Sequence, residues 1–243
     1  MSYYQPDLAF IHDDGFGHLA LASAKVLIDA LDRNGLQRGT VLELGCGSGI
    51  TARTLTDRGY TVTGIDLSES LINMARKRVP EGTFHIGSFV DMEVPPCIAV
   101  CAIGEVLNYT FDNRSNYTSR KAFFERTFRA LAAGGVFLFD VAGPDRAPKA
   151  PTRTFIEGRD WTVLVETAAE AGLLTRRIVT FKQSGPAYRR DSEVHQLQLI
   201  APDEVESELR SIGFEVERIS GYSAEPFPKG LYGFLACRPP TTA

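Results

Sequence analysis

With 243 residues and 44% hydrophobic content, the chain can build one sizeable core, and a second full domain is not expected. Charged residues make up 23%, the net charge is −4 and the pI is near 5.6, a balance that argues against broad binding to nucleic acid or to an anionic membrane. No apolar run approaches the length of a membrane span, and the start, Met-Ser-Tyr-Tyr-Gln-Pro-Asp, lacks the basic residues and apolar stretch of a signal peptide. The four cysteines form no C-x-x-C pair and the four histidines show no metal-ligand spacing, so reduced, buried thiols in a cytoplasmic protein without a metal are expected.

Residues 1 to 15 are aromatic and polar with no clear period. Phe16 to Asn34 reads as a helix, with Leu19, Ala22, Leu27, Ala30 and Leu31 as its apolar stripe and Gly35 as the stop. Val41 to Leu44 is an apolar run one buried strand long. It breaks into three glycines at alternate positions, Gly45, Gly47 and Gly49, and continues as a helix from Ile50 to Arg58. A second strand, Tyr60 to Ile65, finishes at Asp66. Ser68 is the N-cap of a helix to about Arg78, with Glu69 in its first turn. Thr83–Ile86 is a short third strand, and the unbroken apolar run Ile98–Ile103 is a fourth, covered on both faces. Ser119 to Ala132 gives a helix closed by Gly134-Gly135, and Val136–Val141 is the fifth strand. Strands alternating with helices predict a doubly wound, mostly parallel sheet.

After Gly143-Pro144 the pattern changes. Thr152–Ile156, Trp161–Thr167, Leu173–Lys182 and Tyr188–Ile200 are β-type segments without intervening helices, separated by turns at Gly158, Gly172 and Ser184-Gly185-Pro186. They predict an antiparallel unit inserted into the α/β core. Pro202–Ile212 is again a helix, and Phe214–Ile219 and Tyr232–Cys237 are the last two strands.

The glycine loop selects among ligands. A dinucleotide fold wants G-x-G-x-x-G, but here the third glycine comes one residue early and Ile50 stands where that pattern wants Gly or Ala. Glu43 precedes the first glycine by two, as in E/D-x-G-x-G-x-G, and this spacing resembles motif I of the class I S-adenosylmethionine-dependent methyltransferases. The resemblance implies an α/β fold with a seven-stranded sheet, closed by a C-terminal antiparallel hairpin and carrying an inserted antiparallel lid like that of small-molecule N-methyltransferases. Within a single domain, 1–35 would be an N-terminal cap segment, 36–143 the cofactor-binding core, 144–200 the lid and 201–243 the C-terminal helix and hairpin.

It also implies a cofactor site. The backbone of Gly45, Cys46 and Gly47 would pass along the methionine part of S-adenosylmethionine, with Glu43 facing its ammonium group; the alternative is a tight turn that holds no ligand. Asp66, 21 residues after Gly45, ends the second strand and can accept both ribose hydroxyls, or else cap the next helix beside Ser68. Leu67 would pack on the adenine, with Phe89 flanking the ring. Ser88 stands where the family more often has an acid to meet the adenine amine. Ile103 and Gly104 would close the pocket. Tyr3, Tyr4, His12 and Phe16 form an aromatic cluster that would fold over the methionine moiety and stabilise the sulfonium, or simply anchor the tail.

Candidate acceptor-side residues are fewer. Glu105 and Tyr109 follow the fourth strand, where the family places groups that face the acceptor. Glu105 is read either as an anchor or proton acceptor for an ammonium or as a solvated loop carboxylate. His195 alternates onto the face of Leu197 and Leu199, which fits a packed histidine as well as a base. Arg176, Arg177, Lys182, Arg189 and Arg190 add positive charge to the inserted strands; if several converge on the pocket, an anionic acceptor follows. The expected activity is methyl transfer from S-adenosylmethionine to a small-molecule acceptor at nitrogen, in a monomer or homodimer with no nucleic-acid or membrane partner. A nicotinamide-dependent oxidoreductase and a non-catalytic S-adenosylmethionine binder are the rivals.

Overall fold

The computed structural model describes residues 3–240; Met1 and Ser2 of the N-terminal segment and residues 241–243 at the C-terminus lie outside the described residues. The central sheet is built from β1 (Thr40–Leu44), β2 (Thr61–Asp66), β3 (Thr83–Ile86), β4 (Cys97–Ala102), β5 (Leu131–Ala142), β10 (Glu215–Ile219) and β13 (Leu231–Cys237), in the spatial order β10-β13-β5-β4-β1-β2-β3. The five strands from β5 to β3 run parallel, and β13 and β10 close the edge antiparallel. The chain winds from β1 outward to β3, then crosses back to β4 on the other side of β1. The crevice at the carboxyl ends of β1 and β4 is therefore the topological switch point, where open α/β sheets bind ligands.

Each face of the sheet has its own core, as the alternation along a strand requires. Val41, Ala99 and Leu138 pack with Leu27 and Leu31 of α2 (His18–Arg33), Leu55 of α3 (Ile50–Asp57) and Ile72 of α4 (Glu69–Arg78). On the opposite face, Leu42, Val100, Phe137 and Phe139 pack with Phe123 and Phe124 of α5 (Tyr117–Ala130) and with Val205 and Leu209 of α6 (Pro202–Ile212). No helix among the described residues is long and apolar enough to cross a membrane.

Between β5 and α6 the chain forms a separate antiparallel sheet, β6 (Thr152–Glu157), β7 (Trp161–Glu170), β8 (Leu173–Ser184) and β9 (Ala187–Gln198), in sequential order. Two short strands, β11 (Gly221–Tyr222) and β12 (Glu225–Pro226), form a further hairpin between β10 and β13.

Two differences from the sequence reading have clear causes. Pro6–Gly15 is a helix, α1, where no period was expected. Proline suits its first turn, and its buried residues Leu8 and Ile11 pack on Trp161, Val163 and Ile178 of the lid rather than on the central sheet. With so few buried apolar positions it has little stripe to read. The preceding expectation of one helix from Phe16 shortens to His18–Arg33. At the other end, Gly134-Gly135 does not cap α5, because the chain already turns extended at Leu131. The two glycines lie within β5, and a Cβ at Gly135 would meet the carbonyl oxygens of Ala132 and Ile98 at 2.8 and 3.0 Å.

Candidate active site

A cavity of about 480 Å³ opens at the carboxyl ends of β1, β2 and β4 and is roofed by α1 and by lid strands β7, β8 and β9. Gly45, Gly47 and Gly49 all carry positive φ (58°, 54° and 80°), which glycine alone adopts without penalty. They do different things. A Cβ at Gly45 would strike Val106 Cγ2 at 2.5 Å, and one at Gly49 would crowd Ala75 at 3.1 Å, so both serve packing. A Cβ at Gly47 or at Gly104 would meet no protein atom within 4 Å. Those two line the cavity and keep its floor clear.

Three acids, Glu43 and Asp140 buried and Asp66 half-buried, shape this floor. Asp66 accepts the backbone N–H of Gly47 at 3.0 Å and of Ser68 at 2.8 Å, which fastens the glycine loop to the end of β2. Burial pushes its carboxyl up, and these N–H donors hold it back. Ser68 also caps α4, accepting from the Leu71 N–H at 3.2 Å, so the capping expected at this turn is carried by Ser68. Glu43 is 4% exposed and burial pushes it up to about 8. Its Oε2 atom is buried with no hydrogen-bond partner. Asp140, near the carboxyl end of β5, accepts the backbone N–H of Gly104 at 2.9 Å, that of Glu105, and the Tyr222 hydroxyl at 2.7 Å. Burial raises it to about 6. It thereby holds Glu105 in a left-handed conformation, φ 63°, that costs an ordinary residue about 1 kcal/mol.

Leu67, Ser88 and Phe89 line the far end of the cavity, with Ser88 accepting the Val90 N–H at 3.2 Å and Phe89 edge-on to Phe123 at 5.6 Å. Cys46 and Ile103 complete the wall near the glycine loop. Burial raises the Cys46 thiol well above its usual value, which keeps it inert. Among the described residues no group of three or more His, Cys, Asp or Glu side chains converges to hold a metal.

At the lid side the cavity is aromatic. Tyr4, His12 and Phe16 line it, with Tyr4 edge-on to His12 at 5.2 Å and His12 stacked on Phe16 at 6.2 Å. Burial lowers His12 to about 4, so its ring is neutral at pH 7. The N-terminal helix is tied to the glycine loop by a triad that sequence gave no reason to suspect. Arg78 clasps Asp13 at 2.8 and 3.0 Å and the Ser48 carbonyl at 2.6 Å, while the Ser48 hydroxyl donates to Asp13.

Glu105 and His195 both reach the cavity, but in different company. Glu105 is 6% exposed, which removes the solvated-loop reading. Arg176 holds it through two bonds of 2.7 and 3.0 Å, and Arg146 adds a third at 3.1 Å. Burial alone would raise this carboxyl; the two guanidiniums overcome it and hold it below its usual range, which makes it a poor proton acceptor. Of the five cations named on the inserted strands, Arg176 alone lines the cavity. Arg189 pairs with Asp7, Lys182 with Asp160, and Arg177 and Arg190 are exposed. His195, 1% exposed, places Nε2 2.8 Å from Glu193 Oε2, and its ring is flanked by Tyr4 and Phe111, each at 4.9 Å. The Tyr109 hydroxyl lies 3.2 Å from that of Tyr4. Arg146, Glu193 and Asp140 were absent from the sequence reading. Two had signals: a lone acid within the run Phe137–Val141, and an acid two residues before His195 and so on the same strand face.

The geometry fits an amino-acid-bearing nucleoside. It offers a carboxylate with lone pairs to spare at Asp66, a buried acid oxygen lacking a donor at Glu43, and backbone that leaves room at Gly47 and Gly104. With the seven-stranded topology, these features give the fold and the cofactor pocket of the class I S-adenosylmethionine-dependent methyltransferases. Residues 41–135 match the model of the methyltransferase domain family, and the chain carries that domain within the full class I fold. A crystal structure of an S-adenosylmethionine-dependent methyltransferase from Clostridium acetobutylicum shares this fold, with a TM-score of 0.81 and 16% identity, covering 95% of this chain and 97% of that one. In sequence, the chain is 26% identical to a dTDP-3-amino-3,4,6-trideoxy-alpha-D-glucopyranose N,N-dimethyltransferase of Streptomyces venezuelae over 94% of this chain and 98% of that protein. It is 27% identical to the putative methyltransferase YqeM of Bacillus subtilis over 76% of each. The cofactor is S-adenosylmethionine, and the nicotinamide alternative falls with it.

Proposed function

We propose that the chain methylates the amino nitrogen of a small molecule, with an amino sugar as the acceptor class. Support comes from the end-to-end relation to an amino-sugar N,N-dimethyltransferase. The observation that carries the reading is the buried His195–Glu193 pair at 2.8 Å, set in an aromatic chamber that opens on the cofactor cavity.

When bound, S-adenosylmethionine supplies an activated methyl group on a sulfonium. The chain's own residues do the rest. Asp66 accepts the ribose hydroxyls, Glu43 meets the ammonium group, and Gly45, Cys46 and Gly47 line the methionine part. Leu67, Ser88, Phe89, Ile103 and Gly104 enclose the adenosine, while Tyr4, His12 and Phe16 turn neutral rings toward positive charge. Holding nitrogen, methyl and sulfur in line accounts for roughly 7–11 kcal/mol of barrier lowering. The chamber walls aim the nitrogen lone pair at the methyl group of the held cofactor, which would give up that methyl and keep the S–C electron pair on sulfur. The surplus proton on nitrogen passes to His195. Tyr109 orients the acceptor, and Glu105, fixed between Arg146 and Arg176, is a charged wall rather than a base. We read the protein as cytoplasmic, a monomer or homodimer, with no nucleic-acid or membrane partner; free cysteines and net negative charge agree with this.

Incubation with S-adenosylmethionine and paired amino and hydroxy sugars, free and nucleotide-linked, followed by mass spectrometry, tests the reading. Methylation of the amino member alone is expected. Methylation of hydroxy sugars only, or of none, overturns it.

A further inference from the structure

The carboxylate of Glu193 is committed on every side. Its Oε2 receives the backbone N–H of Tyr4 at 2.8 Å and stands 2.8 Å from His195 Nε2; its Oε1 receives the backbone N–H of Gln5 at 2.7 Å. The first contact spans 189 positions of sequence. Residues 4 and 5 are held from the other side as well, because the Ser68 hydroxyl donates to the Tyr4 carbonyl at 2.9 Å, and Tyr4 adopts φ 49° to present both groups. One buried acid on the lid thus clasps the N-terminal strap over the cavity and the imidazole beneath it.

We infer that Glu193 is the positioning residue of the reaction, fixing the tautomer of His195 and making that tautomer conditional on closure of the strap at Tyr4 and Gln5. The inference rests on the reading of His195 as proton acceptor. An ionised carboxylate only accepts hydrogen bonds, so the shared proton sits on Nε2 and the lone pair of Nδ1 is the ring's remaining acceptor. Two backbone N–H donors already use that carboxylate as an acceptor, although it is only 9% exposed. When the strap lifts, the acid loses two of its three partners. Imidazole orientation and strap closure therefore form one event, and the strap also carries the ring of Tyr4 that lies 4.9 Å from His195.

The other titratable groups around His195 are Tyr3, Tyr4 and His12 of the N-terminal segment, Tyr109 of the loop after β4, and Arg176, its cross-strand partner on β8, which is itself neutralised by Glu105. None replaces the acid at Nε2. Glu193→Gln keeps shape but turns an amide N–H₂ toward the ring or leaves a weaker acceptor, so it favours the wrong tautomer. Expected are a fall in kcat of about 10- to 100-fold with little change in KM, and an acid limb of the kcat–pH profile displaced to lower pH. In a His195→Gln background the same substitution is expected to add nothing to the loss in kcat.

A readout without turnover separates this from the identity of the acceptor. Nitrogen-15 NMR of the imidazoles, with the His195 signal assigned by its loss in His195→Gln, is expected to show the Nε2–H tautomer in the native protein and its loss in Glu193→Gln. Amide exchange at Tyr4 and Gln5 is expected to accelerate in the same variant. A native Nδ1–H tautomer, or an unchanged tautomer and pH profile in a folded Glu193→Gln protein, overturns the inference. Failure of every amine to react overturns the acceptor reading instead and leaves the NMR result standing.

Discussion

The two halves of the cavity are made differently. The cofactor half is assembled from the ends of consecutive parallel strands, so its residues follow one another along the chain: Glu43 to Gly47, Asp66 and Leu67, Ser88 and Phe89, Ile103 and Gly104. Backbone groups do much of its work. The acceptor half is assembled from side chains that meet only after folding, with Tyr4 from the N-terminal strap, Tyr109 from a loop, and Arg176 and His195 opposite each other on β8 and β9. A motif repeated in local sequence can define the first half. The second depends on sheet register, which leaves a change of acceptor open to a few lid substitutions while the cofactor floor stays as it is.

The largest expected effect tests that separation from the cofactor side. Asp66→Ala removes the carboxylate proposed to accept two hydroxyls and the anchor of Gly47, and is expected to weaken S-adenosylhomocysteine binding by about 3 kcal/mol, roughly a hundredfold. Calorimetry measures it, and unchanged affinity would remove Asp66 from the ribose site. From the other side, Glu105→Gln leaves Arg176 and Arg146 without their counter-charge. A stability loss of about 2 kcal/mol in denaturant titration is expected, with lowered turnover and nearly unchanged S-adenosylhomocysteine affinity. Equal losses of affinity in both variants would show that the halves are not separable.

The smallest effect is a proton. Burial raises Glu43 from an ordinary 4.5 to about 8, so the folded protein holds its proton at neutral pH. The folded state binds more protons than the unfolded one between those values, so this group favours folding below about 4.5 and loses that contribution as pH rises through about 8. An ammonium docked against Oε2 favours the ionised form. Cofactor binding near pH 7 is then expected to release part of a proton and to tighten with pH up to about 8. Calorimetry in two buffers of different ionisation enthalpy detects it, and Glu43→Gln should abolish it.

The same division explains what the sequence disclosed. The strand–glycine–helix unit, the acid at Asp66 and the cap at Ser68 are local devices, and, the lid cations apart, all seventeen residues named as candidates for the cofactor and acceptor sides line one cavity. Turn residues likewise marked the four lid strands to within a few positions. Register was not legible: nothing in the chain says that Arg176 faces His195, that Glu193 reaches Tyr4, or that Arg146 crosses to Glu105. Nor was α1, whose apolar partners lie some 150 to 170 residues further along the chain, in the lid.

Asp140 carries a last consequence. The described residues after His195 lend no side chain to the cavity, yet Tyr222 donates to the acid that sets the Gly104–Glu105 turn. The tail of the molecule is thus a remote brace for the pocket, and damage there would surface as a slackened catalytic loop with every wall residue still in the chain.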